Sequence, residues 1–529
     1  MDLAQPLIDD FVQDGNRHAS YQRFKACVLV SINELPEEDN FAEKSGQTAL
    51  WVGNIFGPTE ADQTSSESLF EVFTDGVATP EVLEGAFTAA IYHAEHHALH
   101  LVNDKFGMRP LFVAEVKGHV CFCSEFEPLN LLSDLTTDKD AVAEYFSLGT
   151  TLGENTFREE IKNLAPASLR TYQAGTVTKK TYWQPEIEID RTSDLAEHAM
   201  GIAEVMKTVV QSSLAQLTNP ICLLSAGADS SLMLSCMDKQ MRSEMAYLTS
   251  NLSILAPDED KDVIGALALA EELGLDQHQV TKMSFAELDF GADYFDRNRH
   301  LRAKKVIGGW HGGEYLGGFC SLAAPIREAL SKEAVDLKMR AVLSRKFIRQ
   351  LKQHPFDSCE SMRSKIPAEN RELLFQVLQM ARGFFTNIYT GSRGHWLQPW
   401  QTVIHGYSPF WDSRFLQKLL TVPFEMLAKY ELYNKIFEIA LPELRHLPSN
   451  SPLTNRPDSQ LKKMEAGTEP KIALQPKYQN ALQAYIQDRA TWKRRQYPRW
   501  GFKKGLEDGN APSTIQFIDF EAWVRRFGK

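Results

Sequence analysis

The apolar positions of the chain fall into two regimes. Up to about residue 183, short β-branched and aromatic runs alternate with turn signals. Residues 25–32, 49–53, 85–92, 98–102, 111–116 and 119–123 read as strands, most of them bounded by Gly, Asn, Asp or Lys-Gly. The pattern predicts short helical pieces at 140–148 and 159–164, and a final hairpin from 169 to 183 that turns at Gly175. Around 185–193 the apolar pattern lapses and charges alternate, which places a domain boundary there and divides the chain into 1–190 and 191–529. Beyond it the period becomes helical. A helix over 195–217 leads to an apolar strand at 221–224, a helix over 229–241, a strand at 245–249, a helix over 261–273 stopped by Gly274, and a strand at 278–281. Strand, helix and strand in succession imply right-handed crossovers and a parallel sheet. Helical periodicity dominates from there to about residue 490, with no internal repeat or low-complexity tract.

The chain's 529 residues suit two or three domains, each large enough to bury a core without disulfide or metal staples. Acidic residues outnumber basic ones by 69 to 57, for a net charge of −12. That balance argues against a bulk grip on nucleic acid or an anionic membrane. No apolar run reaches the roughly 18 residues of a membrane span. The acidic start, Met1-Asp-Leu-Ala, lacks the basic flank of a secretory signal, and seven cysteines is a low, odd count. Reduced thiols in a cytoplasmic protein are the expectation.

The most informative stretch is Ile221-Cys-Leu-Leu-Ser-Ala-Gly-Ala-Asp-Ser-Ser. A buried strand ends at Leu224, a small-residue loop follows, and Asp229, Ser230 and Ser231 open a helix. Small side chains admit a ligand close to the backbone, and a helix N-terminus favours an anion. The Gly-Lys-Ser/Thr ending of a Walker A loop is absent. An ordinary strand-to-helix turn with a Ser/Asp cap is the alternative.

The stretch 225–231 resembles the Ser-Gly-Gly-x-Asp-Ser pyrophosphatase loop of the asparagine synthetase family, with Ala226 at one glycine position. Further resemblances run in the family's order along nearly the whole chain. Gly85-Ala-Phe-Thr-Ala-Ala-Ile-Tyr, Leu101-Val-Asn-Asp-Lys-Phe-Gly-Met-Arg-Pro-Leu-Phe-Val and Phe122-Cys-Ser-Glu-Phe-Glu-Pro-Leu look like its glutaminase-domain hairpins. Gly308-Gly-Trp-His-Gly-Gly-Glu-Tyr-Leu-Gly-Gly is similar to its second synthetase motif, and Gly406-Tyr-Ser-Pro-Phe-Trp-Asp to its late Pro-Phe-Leu-Asp motif. The resemblance implies an α/β protein: an N-terminal Ntn-hydrolase-like αββα sandwich, then an adenine-nucleotide α-hydrolase-like (PP-loop) parallel-sheet domain with a helical extension. It implies ATP and Mg²⁺ as cofactors, adenylation of a small-molecule or peptide carboxylate, and attack by an amine to form an amide. A homodimer or a biosynthetic partner protein is compatible with it.

By the same resemblance, Ser225, Gly227, Ser230 and Ser231 cradle pyrophosphate, Gly309 also belongs to the cofactor site, Leu224 and Leu248 flank adenine, and Asp229 with Glu314 holds Mg²⁺. Lys435 offsets charge in the transition state. Some positions depart from the family. Asp2 stands where a glutaminase has its nucleophilic cysteine, Cys27 reads as core, and Val52-Gly-Asn-Ile-Phe only weakly echoes the glutamine-handling Asn-Gly-Glu. These departures resemble the β-lactam synthetase and lasso-peptide cyclase branches, whose glutaminase domain is degenerate and whose amine belongs to the substrate. Gly313 replaces a metal-binding aspartate, His405 and Tyr407 replace Glu and Arg, and the later family lysine has no counterpart near 449–455. Three readings stay open: a glutamine-independent amide or lactam synthetase, an amidotransferase using ammonia or glutamine, and a non-catalytic scaffold.

Other clusters have plainer readings. His93, His96, His97 and His100 have zinc-like spacing on a helix, but the surrounding strands predict a hairpin turn that scatters the rings. Cys121 and Cys123 share one face of a strand and read as core. The aromatic and basic run from Trp492 to Lys504 reads as a surface segment or as a patch for an acidic peptide or protein.

Overall fold

A computed structural model describes residues 18–23, 28–33, 40–57, 64–74, 77–148, 151–217, 219–251, 258, 260–282, 306–309, 312–318, 331–343, 345–363, 406–427 and 430–440. Asp2, Cys27, His405, 449–455 and the aromatic–basic run at 492–504 lie outside them.

Strands β1 (His18–Arg23) and β2 (Val28–Asn33) form an antiparallel pair. Strands β3 (Phe41–Lys44) and β4 (Gln47–Phe56) begin a larger sheet, and helix α1 (Ser65–Val72) follows, opened by a Thr64–Glu67 capping box. A two-stranded ribbon, β5 (Phe73–Thr74) and β6 (Val77–Ala78), leads to β7 (Glu84–His93) and β8 (Ala98–Asn103). Strands β9 (Phe112–Val116), β10 (His119–Cys123) and β11 (Ile161–Asn163) make a three-stranded sheet, with helix α2 (Lys139–Leu148) between β10 and β11 in the chain. Strands β12 (Ser168–Gln173) and β13 (Thr176–Thr181) complete a six-stranded antiparallel sheet of order β13-β12-β8-β7-β4-β3.

Strand alternation sets the layers, because successive side chains point to opposite faces. Trp51, Phe87, Ala89 and Ile91 pack with Leu69 and Phe70 of α1. Their neighbours Ala90, Tyr92, Leu99 and Leu101 face Leu111 and Val113 of the three-stranded region. On that sheet's far side, Phe112 and Ala114 meet Val142 and Phe146 of α2. The order is therefore helix, sheet, sheet, helix. Residues 161–163 form a strand where the pattern suggested a helical piece, because Ile161 and Lys162 pair with Ala114 and Val113 of β9. The histidine cluster spans a hairpin turn: His97 has φ +47°, and His100 Nδ1 lies 2.9 Å from Thr171 Oγ1. Among the described residues no group of three or more His, Cys, Asp or Glu is placed to hold a metal. Cys121 and Cys123 pack against the α2-side core, and burial pushes the Cys123 thiol up to about 12.

The second half is parallel. Helix α3 (Leu195–Ala215), capped by Asp194 and Glu197, precedes β14 (Ile221–Leu223), helix α4 (Ala228–Ser235), β15 (Ala246–Asn251), helix α5 (Lys261–Leu273) and β16 (His278–Lys282). Strands β17 (Val306–Ile307) and β18 (Gly406–Tyr407) complete a five-stranded sheet of order β16-β15-β14-β17-β18. Helix α5 ends where expected, with Gly274 left-handed at φ +63°. The helix expected over 229–241 instead breaks after Ser235, and Asp238 caps a new short helix by accepting from the Met241 N–H.

Helices α6 (Lys332–Val342) and α7 (Pro355–Arg363) pack back onto α2, where Met339, Leu343 and Phe347 join Val142, Ala143 and Phe146 in one cluster. Helices α8 (Ser413–Leu419) and α9 (Glu431–Ala440) pack on α3. No helix among the described residues is long and apolar enough to cross a membrane.

Candidate functional site

The strand order reverses at β14: the chain runs outward through β15 and β16 on one side and through β17 and β18 on the other. In open parallel sheets the crevice at the carboxyl ends of strands, beside such a reversal, is where ligands bind. Two of the sequence motifs converge there. Leu224–Gly227 follows β14, and Gly308–Gly309 follows β17, its paired neighbour.

The first loop is braced from its own residues. The Leu224 N–H donates to Leu248 O (2.9 Å), and Thr249 Oγ1 donates to Leu224 O (2.9 Å) while lying 2.7 Å from His278 Nε2. These contacts tie the end of β14 to the middle of β15 and to the first residue of β16. The Gly227 N–H donates to Ser225 Oγ (3.1 Å), which lies 2.9 Å from Ser230 Oγ. Ser231 Oγ donates back to Gly227 O (3.1 Å). Gly227 is the N-cap of α4 and offers no side-chain cap to its first turn. Ser225, Gly227 and Asp229 are half-buried, whereas Ser230 and Ser231 are buried. The first three therefore line the accessible side, and Ser231 braces the loop from behind.

The second motif presses against the first. A Cβ on Gly309 would sit 2.7 Å from the Asp229 carbonyl carbon and 2.8 Å from the Ser230 nitrogen. A Cβ on Gly312 would sit 2.9 Å from Asp229 Cγ and 2.4 Å from the Phe410 ring. Only glycine permits so close an approach. Glu314 begins the irregular turn Glu314–Gly318 just beyond, and its side chain lies outside the described residues.

Helix α9 supplies a residue that the motifs did not single out: the Tyr433 hydroxyl donates to Asp229 Oδ1. Lys435 does not join it. Two residues on from Tyr433, it sits about 200° further round the helix, and its Nζ pairs with Glu438 at 2.8 Å. The buried face of α9 is Leu432, Tyr433, Ile436 and Phe437. That amphipathic pattern is the sequence signal that could have placed Tyr433 inward and Lys435 outward. Tyr407, where the resemblance expects an arginine, is fully buried, and burial together with the charge of Asp412 raises its hydroxyl pKa.

Residues 58–183 match the glutamine amidotransferase domain family. The chain is a distant, partial relative of the glutamine amidotransferases and asparagine synthetases. It is 28% identical over 158 residues to glutamine-hydrolyzing asparagine synthetase 1 of Bacillus subtilis strain 168, a stretch that covers 29% of this chain and 24% of that protein. The chain thus spans about a quarter of the length of the curated relatives it matches. Among solved structures, the allosteric regulatory enzyme of purine biosynthesis is 12% identical, with a TM-score of 0.20, over 46% of this chain and 61% of that one. The NH3-dependent NAD synthetase of Campylobacter jejuni is 14% identical, with a TM-score of 0.18, over 37% of this chain and 98% of that one.

Proposed function

We propose that the protein is an ATP-dependent, AMP-forming carbon–nitrogen ligase, an asparagine synthetase-like amidotransferase that activates a carboxylate and joins it to nitrogen. The observation that carries this reading is the meeting of the 224–231 loop with Gly309 and Gly312 around Asp229, beside the strand-order reversal.

The residues present fit Mg·ATP. The first turn of α4, without a side-chain cap from Gly227, offers N–H groups where a pyrophosphate belongs, and the helix dipole favours the charge. Ser225 adds a hydroxyl, Ser230 backs it from the buried side, and Ser231 keeps the loop closed. Gly309 keeps the space clear of side chain, and Leu224 and Leu248 supply apolar walls for adenine. Asp229, with Glu314, would hold Mg²⁺, which suits a site where one or two carboxylates share the metal with phosphates. Mg²⁺ held there would neutralise phosphate charge. In the proposed reaction a carboxylate oxygen attacks the α-phosphorus, pyrophosphate leaves, the amine attacks the activated carbonyl, and AMP departs. The chain's own part is to hold the pyrophosphate as a unit and leave the α-phosphorus open. Nothing in the loop resembles a lysine aimed at a γ-phosphate.

The comparisons favour ammonia or glutamine as the nitrogen source. A second reading, glutamine-independent attack by an amine of the substrate as in lactam formation, draws on one observation. Residues 52–56, the weak echo of the glutamine-handling stretch, are paired strand in β4, with Gly53 against Phe87 and Asn54 against Ala86 of β7.

The test is to incubate the full chain with Mg·ATP, a panel of carboxylates, and ammonium, glutamine or neither, and to identify products by mass spectrometry. AMP together with a new amide supports the proposal, and the nitrogen source it requires selects between the readings. ADP as the product would overturn the mechanism.

A further inference from the structure

Two charged residues of the antiparallel half meet a serine of the parallel half in the interior. Lys105 is 7% exposed, and its ammonium donates to a Glu84 carboxylate oxygen and to Ser413 Oγ, the latter at 3.0 Å. The Ser413 N–H donates to the other Glu84 oxygen (3.1 Å), and its hydroxyl donates to the first. Trp183 covers the ammonium, which lies 5.9 Å from the ring centroid. Beside this knot, Phe56 meets Tyr407 edge-on at 4.8 Å. Burial raises the Glu84 carboxyl, the charge of Asp412 pushes it the same way, and Lys105 pulls it back.

Ser413 belongs to a segment that reaches the crevice. Asp412 is fully buried, caps α8, and is clasped by Arg414 through Nε (2.9 Å) and Nη2 (2.7 Å). Two residues earlier, Phe410 closes on Gly312, which itself abuts Asp229. An unbroken line of contacts therefore runs from Glu84 and Lys105 through residues 413–410 to the Asp229 carboxylate. A buried ion pair is weak evidence of stability, because apolar replacements of similar volume are often as stable. What a fully bonded pair adds is one fixed position for the groups it holds.

We propose that Glu84 and Lys105 are positioning residues for the crevice of the other half: they fix the Gly406–Ser413 segment and, through Phe410, the Asp229 loop. The amidotransferase-like half then has a task at the nucleotide site that does not depend on glutamine hydrolysis. The binding arm of the test below rests on the proposed nucleotide reading; its exchange arm does not.

The experiment compares the full chain with the double variant Glu84→Gln/Lys105→Met, which leaves no unpaired buried charge. The control is Arg170→Met/Glu154→Gln, which removes a pair of the same half that, among the described residues, has no hydrogen-bond or ion-pair partner in the other. Hydrogen exchange is followed in peptides covering 224–233 and 406–418, and Mg·ATP affinity is measured alongside. The expected result is exchange about tenfold faster in both peptides, and affinity about tenfold weaker, in the first double variant but not in the control. Faster exchange at 406–418 with a wild-type 224–233 loop, or identical behaviour of the two double variants, would overturn the proposal. Should the first double variant fail to fold, Ser413→Ala removes only the shared hydroxyl and reads the same peptides. A wild-type chain that binds no ATP would refute the nucleotide reading and leave the exchange result to decide this one.

Discussion

Asp229 carries most of the chemistry proposed for the crevice, and its surroundings turn that proposal into measurable differences. Asp229→Asn keeps the size of the side chain and removes its charge. It should weaken Mg·ATP binding by more than it weakens binding of ATP without metal; calorimetry in magnesium and in chelator tests this, and equal losses would remove the metal role. Tyr433→Phe keeps the buried ring and deletes the hydroxyl that orients Asp229 Oδ1. Partners that orient a metal-binding group typically contribute about 10–100-fold to metal affinity. The metal-dependent part of ATP binding should fall by that order, while ATP binding in chelator and the circular dichroism spectrum stay unchanged. Lys435 gives the opposite expectation. It pairs with Glu438 on the outer face of α9, so Lys435→Ala should leave Mg·ATP affinity within about twofold of wild type, as for most exposed ion pairs. A tenfold loss would mean that the lysine swings into the crevice when nucleotide binds.

Among the elements, α2 yields a pH prediction. Glu144 is buried, accepts the Leu152 N–H at 2.9 Å and Asn155 Nδ2 at 3.3 Å, and burial pushes its carboxyl up from 4.5 to about 7. A raised carboxyl pKa favours the protonated form in the folded state. Its contribution is therefore full below the unfolded pKa of 4.5 and is lost as pH rises through about 7. Glu144→Gln mimics the protonated group, so relative to wild type it should gain roughly 1–3 kcal/mol between pH 5 and pH 8. Urea titrations at the two pH values check this, and a pH-independent difference would contradict it. Elements of this kind were legible in the sequence where local rules suffice. The α5 helix with its Gly274 stop, and the β14 strand running into a small-residue loop, follow from periodicity and capping. The strand at 161–163 was not legible, because its pairing with β9 is set by a partner about fifty residues away. The break after Ser235 turned on Asp238, whose cap competed with a continuous helical pattern. At the site, the motifs located the loop and its glycines, but not which face of α9 turns inward. Nor did they reveal Ser413 reaching Glu84 across 329 positions.

At the scale of the whole molecule, the two halves share their cores. Phe56, Ala86, Phe106 and Met108 of the antiparallel half lie in one buried cluster with Leu224, Ile307, Tyr407 and Phe410 of the parallel half. Met339, Leu343 and Phe347 pack into the first half from the other direction. Halves joined in this way should unfold together, so scanning calorimetry should give a single transition; two resolved transitions would show them to be independent. The same joining makes the crevice a property of the entire chain. The role proposed for its loop is to hold pyrophosphate as a leaving group while a carboxylate is activated. Exchange of labelled pyrophosphate into ATP, measured on the full chain with Mg²⁺ and a panel of carboxylates, tests that step before any nitrogen donor is needed. Label should enter ATP with at least one carboxylate and fail to enter with Asp229→Asn. Turnover of ATP to ADP and phosphate, with no label entering ATP, would contradict it.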